Sequence, residues 1–300
     1  MKPSEYLSAV LQSQQLPEDS EEYRKLISRR EDIEKIIKSS FKGAKLTVRY
    51  GGSIAKGTII SEDYDLDLIF YFEAEDTSAG ESLEEIYKSF GKTLQGNYIV
   101  QEKRSSLRLK GKSGMESNID FYIDVVPGRY TDVSKQDVFI YQSGGDKKRL
   151  KTNIEKHIEH VRKSGLIDVI KLIKLWRSRK ALLIKTFVLE LLVIKVLESV
   201  DKGLSIDQKL IKFWEILRDK NGEIPIEDPA NPQGNDLSTV WDVTTKANLV
   251  MLAKVTLDTI KNGQWEDVFG ATEKMSREER ISSIQVATSL RGGRAQPWSC

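Results

Sequence analysis

The chain has 300 residues, 39% of them hydrophobic, enough to bury one large core or two lobes. Its 47 basic and 45 acidic residues leave a formal charge of +2, which argues against a general polyanion-binding protein and leaves room only for local basic patches. With a single cysteine, Cys300, and two histidines, neither an internal disulfide nor a zinc cluster is expected. No N-terminal apolar run resembles a signal peptide and no apolar stretch reaches membrane-spanning length, so the expected setting is reducing and cytoplasmic.

Residues 1–16 form a short amphipathic lead, with Tyr6, Leu7, Val10 and Leu11 at helical spacing. Pro17 breaks it, and a long helix is predicted from Ser20 to Phe41, acidic at its start and basic near its end as the helix dipole favours. Gly43 closes that helix. A strand from Leu46, a Gly51-Gly52-Ser53 turn, a short helical piece and a second strand ending at Phe72 follow. Beyond an acidic loop, a helix is predicted over Leu83–Leu94 and short strands over Tyr98–Glu102 and Ser106–Lys110. A further strand begins near Ile119 and is ended by Pro127-Gly128. The sheet is expected to finish near residue 145. Downstream the pattern is helical: Lys151–Lys163, Leu166–Lys180, Thr186–Val200, Ile206–Arg218 and Leu237–Lys261. From Ser289 onward turn formers replace any period, which reads as a mobile tail.

The stretch Leu46–Phe72 carries the chemistry. Side chains alternate along a strand, so Leu66, Leu68 and Phe70 share one face while Asp65 and Asp67 share the other. Two acids side by side at the mouth of an apolar strand repel each other and call for a cation. Hard oxygen ligands suit Mg²⁺, which takes the rest of its shell from water and substrate phosphates. Gly51 and Gly52 let backbone approach a ligand closely, and the N–H groups opening the next helical piece attract phosphate.

Gly52-Ser53, eleven residues, then Asp65-Leu66-Asp67 resembles the signature of the DNA polymerase β-type nucleotidyltransferase superfamily. Such a site implies a third carboxylate from a neighbouring strand, where Asp120 and Asp124 have the same parity. Ile123-Asp124-Val125-Val126-Pro127 resembles the third-acid strand of bacterial cyclic-oligonucleotide synthases, which points to Asp124 and leaves Asp120 as a strand-end acid nearer solvent. On the helix over 166–180, Asp168, Lys171, Lys174 and Arg177 form one polar stripe, the pattern of a solvated face or of a site. The segment from Ile184 through Leu189-Glu190-Leu191 resembles the next family segment. Matched to it, the triphosphate-binding lysine falls on Lys174, with Lys171 its neighbour, and the phosphate-contacting hydroxyl on Thr186. Asp228-Pro229-Ala230-Asn231-Pro232 matches a rigid polar turn shared with animal oligoadenylate synthases.

Taken together, residues 20–290 resemble a bacterial CD-NTase, the cyclic GMP–AMP synthase-like enzymes of CBASS anti-phage signalling. The resemblance implies an α/β enzyme: a mixed nucleotidyltransferase sheet lobe over 1–145 with the long helix spanning both lobes, a helical lobe over 146–290, and a tail over 291–300. The active site would lie in the cleft between the lobes. Asp65 and Asp67 would hold two Mg²⁺, for which Mn²⁺ can substitute, and Asp124 would hold the one nearer the attacking hydroxyl. Gly52, Ser53, the turn amides, Lys174 and Thr186 would hold the phosphates of ATP or another nucleoside triphosphate. The product would be a cyclic di- or trinucleotide. The tail resembles one that ubiquitin-like conjugation machinery or another protein regulator could engage, and an inert end fits equally. A linear 2′–5′ oligoadenylate synthase shares the three motifs. A tRNA nucleotidyltransferase would need an RNA-binding surface that the balanced charge does not suggest, and a non-catalytic nucleotide-sensing scaffold would lack one of the acids.

Overall fold

The computed structural model describes residues 1–112, 121–144, 147–232, 235, 237 and 240–272. Asp120 and the tail lie outside the described residues.

The chain begins with α1 (Pro3–Ser13) and α2 (Glu21–Ser40), the second opened by Ser20, whose hydroxyl accepts the amide of Tyr23 at 3.1 Å. Then come β1 (Leu46–Tyr50), α3 (Gly52–Lys56), β2 (Leu66–Phe72) and α4 (Leu83–Leu94), followed by β3 (Tyr98–Glu102), β4 (Leu107–Gly111) and β5 (Ile123–Tyr130). A hairpin of β6 (Val138–Tyr141) and β7 (Arg149–Thr152) completes a seven-stranded sheet of order β1-β2-β5-β4-β3, with β6 on β5 and β7 on β6. Only β2 and β5 run parallel; the other pairs are antiparallel. The sheet therefore extends seven residues past the expected end near 145. Asn153 caps the helix there, so α5 is Ile154–Arg162 and Arg149–Thr152 is strand.

Pro127-Gly128 does not end β5. The strand changes neighbour there, pairing with β4 up to Val125 and with β6 from Gly128, so the imino nitrogen falls at a gap in that ladder. A Cβ on Gly128 would stand 2.9 Å from the Phe139 carbonyl oxygen, so glycine lets β6 approach.

Alternation sorts β2 into two faces. Leu66, Leu68, Phe70 and Phe72 enter a core with Leu26, Ile33 and Ile37 of α2 and Ile86, Tyr87 and Phe90 of α4. All the fully buried residues of α2 lie in this core, so the helix covers the sheet where it was expected to span both lobes. On the opposite face, Ile69 and Tyr71 pack under the β6–β7 hairpin, leaving the end with Asp65 and Asp67 uncovered by that small cluster.

The helical layer consists of α6 (Ile167–Arg179), α7 (Thr186–Leu197), α8 (Ile206–Asp219), α9 (Val243–Lys261) and α10 (Trp265–Phe269). The start of α9 is six residues later than expected, because Asp242 is its cap, accepting the Thr245 amide at 2.7 Å. Tyr6, Leu7 and Val10 of α1 belong to this core, so the first helix leaves the 1–145 lobe assigned to it from sequence and joins the helices. No described helix is long and apolar enough to cross a membrane.

The two layers meet at the loop Thr58–Asp63, between α3 and β2. Ile60 is buried in the helical core. Lys56 Nζ donates to Glu190 Oε2 at 2.7 Å and Thr58 Oγ1 to Glu190 Oε1 at 2.6 Å, with both charged partners almost fully buried. Glu62 accepts Arg179 Nε at 3.0 Å and Gln14 Nε2 at 2.7 Å, and Asp63 accepts Arg177 at 2.6 Å. Removing one member of a buried ion pair strands the other without water. Glu190→Ala should therefore lower unfolding stability by about 3–5 kcal/mol. The double change Lys56→Met with Glu190→Leu should restore most of it, as read from chemical denaturation. A Glu190→Ala protein as stable as the parent would remove this clamp from the account.

Candidate active site

Asp67 lies opposite Asp124 in the parallel β2–β5 register, so their side chains leave the sheet on one face from adjacent strands. Asp65 stands two residues earlier, in extended chain just before β2, on the same side. Across the next pair, Arg108 of β4 is opposite Asp124. Its guanidinium takes that carboxylate in a fork, Nε to Oδ1 at 2.9 Å and a terminal nitrogen to Oδ2 at 2.6 Å, and lies 4.3 Å over the Tyr122 ring. By contrast, neither the Asp65 nor the Asp67 carboxylate accepts a hydrogen bond among the described residues.

The electrostatics follow from that grouping. Burial, then the charges of Asp67, Asp63 and Asp124, push the Asp65 carboxyl up to about 7, against the pull of Arg108. Burial and Asp124 push Asp67 up to about 6, while Lys56, Lys174 and Arg108 draw it down.

The Gly51-Gly52-Ser53 turn is shaped to this carboxylate. The Gly51 amide donates to the Asp67 carbonyl at 2.9 Å. Gly52 has φ +52°, and a Cβ there would stand 1.6 Å from Asp67 Oδ2. Only glycine provides both the left-handed backbone and the room.

Lys174 is 2% exposed, so the polar stripe of α6 is not a solvated face at this point. Its Nζ donates to the Thr58 carbonyl at 2.7 Å, and burial holds its pKa below the ordinary lysine value although Glu190 and Asp63 oppose the shift. Arg177, next along the stripe, reaches Asp63. Lys171 is half-buried and Asp168 exposed. Thr186 opens α7, and Ser53 lies on α3, half-buried like Thr186. Asp228 sits farther along the lobe junction. It is buried, 2.6 Å from His157 Nε2, and accepts the Ala230 amide at 2.8 Å and the Asn235 side chain. Burial works to raise its pKa, but these partners outweigh it and hold the carboxyl below the ordinary range. Asp228 therefore ties its loop to α5.

Sequence reasoning missed Arg108 and the buried pairing of Lys56 with Glu190. For Glu190 a signal existed: one acid in the apolar run Phe187–Val193 has to be buried with a cation. Arg108 follows only from strand register.

A divalent cation fits this donor set in part. Asp65 and Asp67 supply hard oxygens free of other hydrogen bonds, as Mg²⁺ requires. Asp124 has both oxygens engaged by Arg108, and among the described residues no three acids, histidines or cysteines form a ready metal group.

The raised carboxyls give a pH prediction for the metal-free protein. An aspartate in the unfolded chain loses its proton near 3.8, whereas folded Asp65 keeps it to about 7. The native state holds the extra proton between these values, so stability falls as pH rises from about 4 to about 7 and then levels. Asp65→Asn should therefore stabilise the protein in EDTA at pH 8 by about 1–3 kcal/mol and change it little at pH 4. Equal effects at both pH values would show that Asp65 is not held in this repulsive field.

No protein-family profile and no curated protein matches the sequence. Solved structures do match the fold. CdnC of E. coli MS115-1 with ATP superposes with a TM-score of 0.66 at 19% identity, over 91% of this chain and 99% of that one. The CD-NTase CdnG of Bradyrhizobium diazoefficiens, in complex with GTP, gives 0.68 at 13% identity, over 94% and 98%. The Vibrio cholerae dinucleotide cyclase DncV, in complex with ATP and GTP, gives 0.62 at 13% identity, over 96% of each chain. The mixed sheet with its helical second layer is the fold that these solved structures share.

Proposed function

We propose that this chain is a CD-NTase: a nucleotidyltransferase that joins nucleoside triphosphates, ATP among them, into a cyclic di- or trinucleotide and releases pyrophosphate. The observation that supports this most is the register of Asp67 with Asp124, with Asp65 beside them, at the junction of two layers that carry the CD-NTase fold. A nearly balanced net charge and three carboxylates gathered from adjacent strands are the equipment of a small-substrate site rather than of a nucleic-acid reader.

Asp65 and Asp67 would hold a divalent cation, and Asp124 would join them from the neighbouring strand. Bound there, Mg²⁺ or Mn²⁺ would lower the pKa of a ribose hydroxyl and neutralise charge at the α-phosphate and the departing pyrophosphate. The chain's own residues do the positioning. Gly51 and Gly52 keep the turn within contact of Asp67, and in this reading Ser53 and the turn amides meet the phosphates beside the acids. Lys174 is anchored to Thr58, just beyond the end of α3, and its charge is felt at Asp67. It is the cation placed to meet a terminal phosphate, with Thr186 supplying a hydroxyl from the next helix. The first linkage leaves a linear intermediate, which turns to present its other end to the same acids, and a later transfer closes the ring.

The E. coli CdnC structure has also been solved with a HORMA protein. A protein regulator is part of the proposal on that ground, and a role in anti-phage signalling on the resemblance of the sequence motifs alone.

Incubation with the four nucleotides and Mg²⁺ or Mn²⁺, followed by mass determination and phosphatase treatment, tests the reading. A phosphatase-resistant product of cyclic mass is expected. A phosphatase-sensitive ladder would identify a linear synthase, and no product under any condition would favour a nucleotide-sensing scaffold. Asp65→Asn with Asp67→Asn should abolish product while the far-ultraviolet spectrum stays native, since amides bind Mg²⁺ poorly. Lys174→Ala should raise the nucleotide KM with a loss of about 1–3 kcal/mol in transition-state binding, and Lys171→Ala should do less. Equal, negligible effects of the two would remove Lys174 from the phosphate site.

A further inference from the structure

Among the described residues, Arg108 is the one basic residue whose side chain pairs directly with an acid of the candidate site. Both its hydrogen bonds use the two oxygens of Asp124, in a pair whose side chains are 18% and 14% exposed. Its position is set by the backbone. Leu107 and Leu109 are buried on the opposite face of β4, so Arg108 emerges on the acids' face, directly opposite Asp124. Its charge also reaches Asp65 and Asp67, where it opposes the upward shift of both carboxyls.

A guanidinium fork takes one lone pair on each carboxylate oxygen and neutralises much of its charge, so only the second lone pair on each oxygen is left, on a weakened donor, for a cation. Asp124 is therefore a weaker ligand for a cation while Arg108 keeps both bonds. Arg108 also supplies positive charge where a divalent cation would supply more, and the two repel. We infer that Arg108 is a latch on the third carboxylate: it neutralises Asp124 in the metal-free chain and competes with divalent cation for it, so that Asp124 enters the metal set by exchange. The inference rests on the metal role assigned above to the three acids. Arg108 is a positioning residue in this scheme. The Tyr122 ring beneath the guanidinium offers it a second partner once the carboxylate is shared.

A purely structural Arg108 and a competing one make opposite predictions for metal binding. If the pair only braces β4 against β5, its loss should weaken the sheet and leave metal affinity unchanged or reduced. If Arg108 competes, its removal should tighten metal binding even as it destabilises the metal-free protein, because three carboxylates are left with less neutralising charge.

The test is Mn²⁺ titration of the nucleotide-free full chain by calorimetry, with melting temperature read in parallel with and without Mn²⁺. The proteins are the parent, Arg108→Gln, Arg108→Lys, and Arg108→Gln with Asp124→Asn. Arg108→Gln should bind Mn²⁺ on the order of tenfold more tightly than the parent, the scale of one charge-assisted hydrogen bond given up. Its Mn²⁺-induced rise in melting temperature should be larger as well. Arg108→Lys, which keeps the charge but not the fork, should fall between, and it carries the test if the glutamine variant does not fold. Adding Asp124→Asn should erase the gain. Parent-like or weaker Mn²⁺ binding in folded Arg108 variants, with the parent itself binding, would overturn the latch alone. Absence of Mn²⁺ binding in every protein would overturn the metal reading and the latch with it.

Discussion

Mutual repulsion among three carboxylates, gathered at one end of a parallel strand pair, is the constraint on which the rest of the structure depends. Parallel pairing of β2 with β5 places Asp67 against Asp124, and the extended approach to β2 adds Asp65. The cost is visible in Asp65 and Asp67, whose protons are held to about 7 and about 6. A fold selected only for stability would place apolar or neutral side chains there. Here the opposite end of the same face is already apolar, with Ile69 and Tyr71 packed under the hairpin, so the acids are a local exception in an otherwise ordinary strand. Arg108 offsets part of the repulsion from the third strand.

The loop that delivers Asp65 to this point is also the joint between the two layers. Within Lys56–Asp63, nearly every polar side chain reaches into the helical layer: Lys56 and Thr58 to Glu190, Glu62 to Arg179, Asp63 to Arg177. Buried ion pairs contribute little net stability against an apolar replacement, but breaking one is costly, so they fix geometry more than they add free energy. The consequence for function is coupling. A ligand that draws Lys174 or the Gly51-Gly52-Ser53 turn toward itself acts on the same loop that sets the acids, because Lys174 is bonded to Thr58.

Much of this arrangement was legible in the residues, for identifiable reasons. The alternation Leu66, Leu68, Phe70 against Asp65, Asp67 needs only the two-residue period of a strand, and the helix over Leu83–Leu94 needs only its apolar spacing. The Gly51-Gly52 pair announced a close approach, although not that the group approached would be Asp67 itself. What stayed hidden was long-range. Strand register decides that Arg108 meets Asp124, and no local pattern encodes register between residues sixteen apart. Lys174 lies on a stripe whose spacing suits solvent equally well, and only the packing of α6 on the Thr58–Asp63 loop buries it. Pro127-Gly128 reads locally as a stop, but the change of neighbour from β4 to β6 makes room for both residues within β5. The first helix reads as a lead into the sheet lobe, yet its apolar face finds more to cover in the helical core.

The account centres on Asp65 and Asp67 as ligands of a divalent cation beside a bound triphosphate. Crystals grown with Mn²⁺ and a non-hydrolysable ATP analogue, measured for anomalous scattering, test that claim most directly. The account predicts a metal peak within about 2.0–2.3 Å of an oxygen from each of Asp65 and Asp67, bridged to the triphosphate. A triphosphate bound with Mn²⁺ that touches neither aspartate would contradict it.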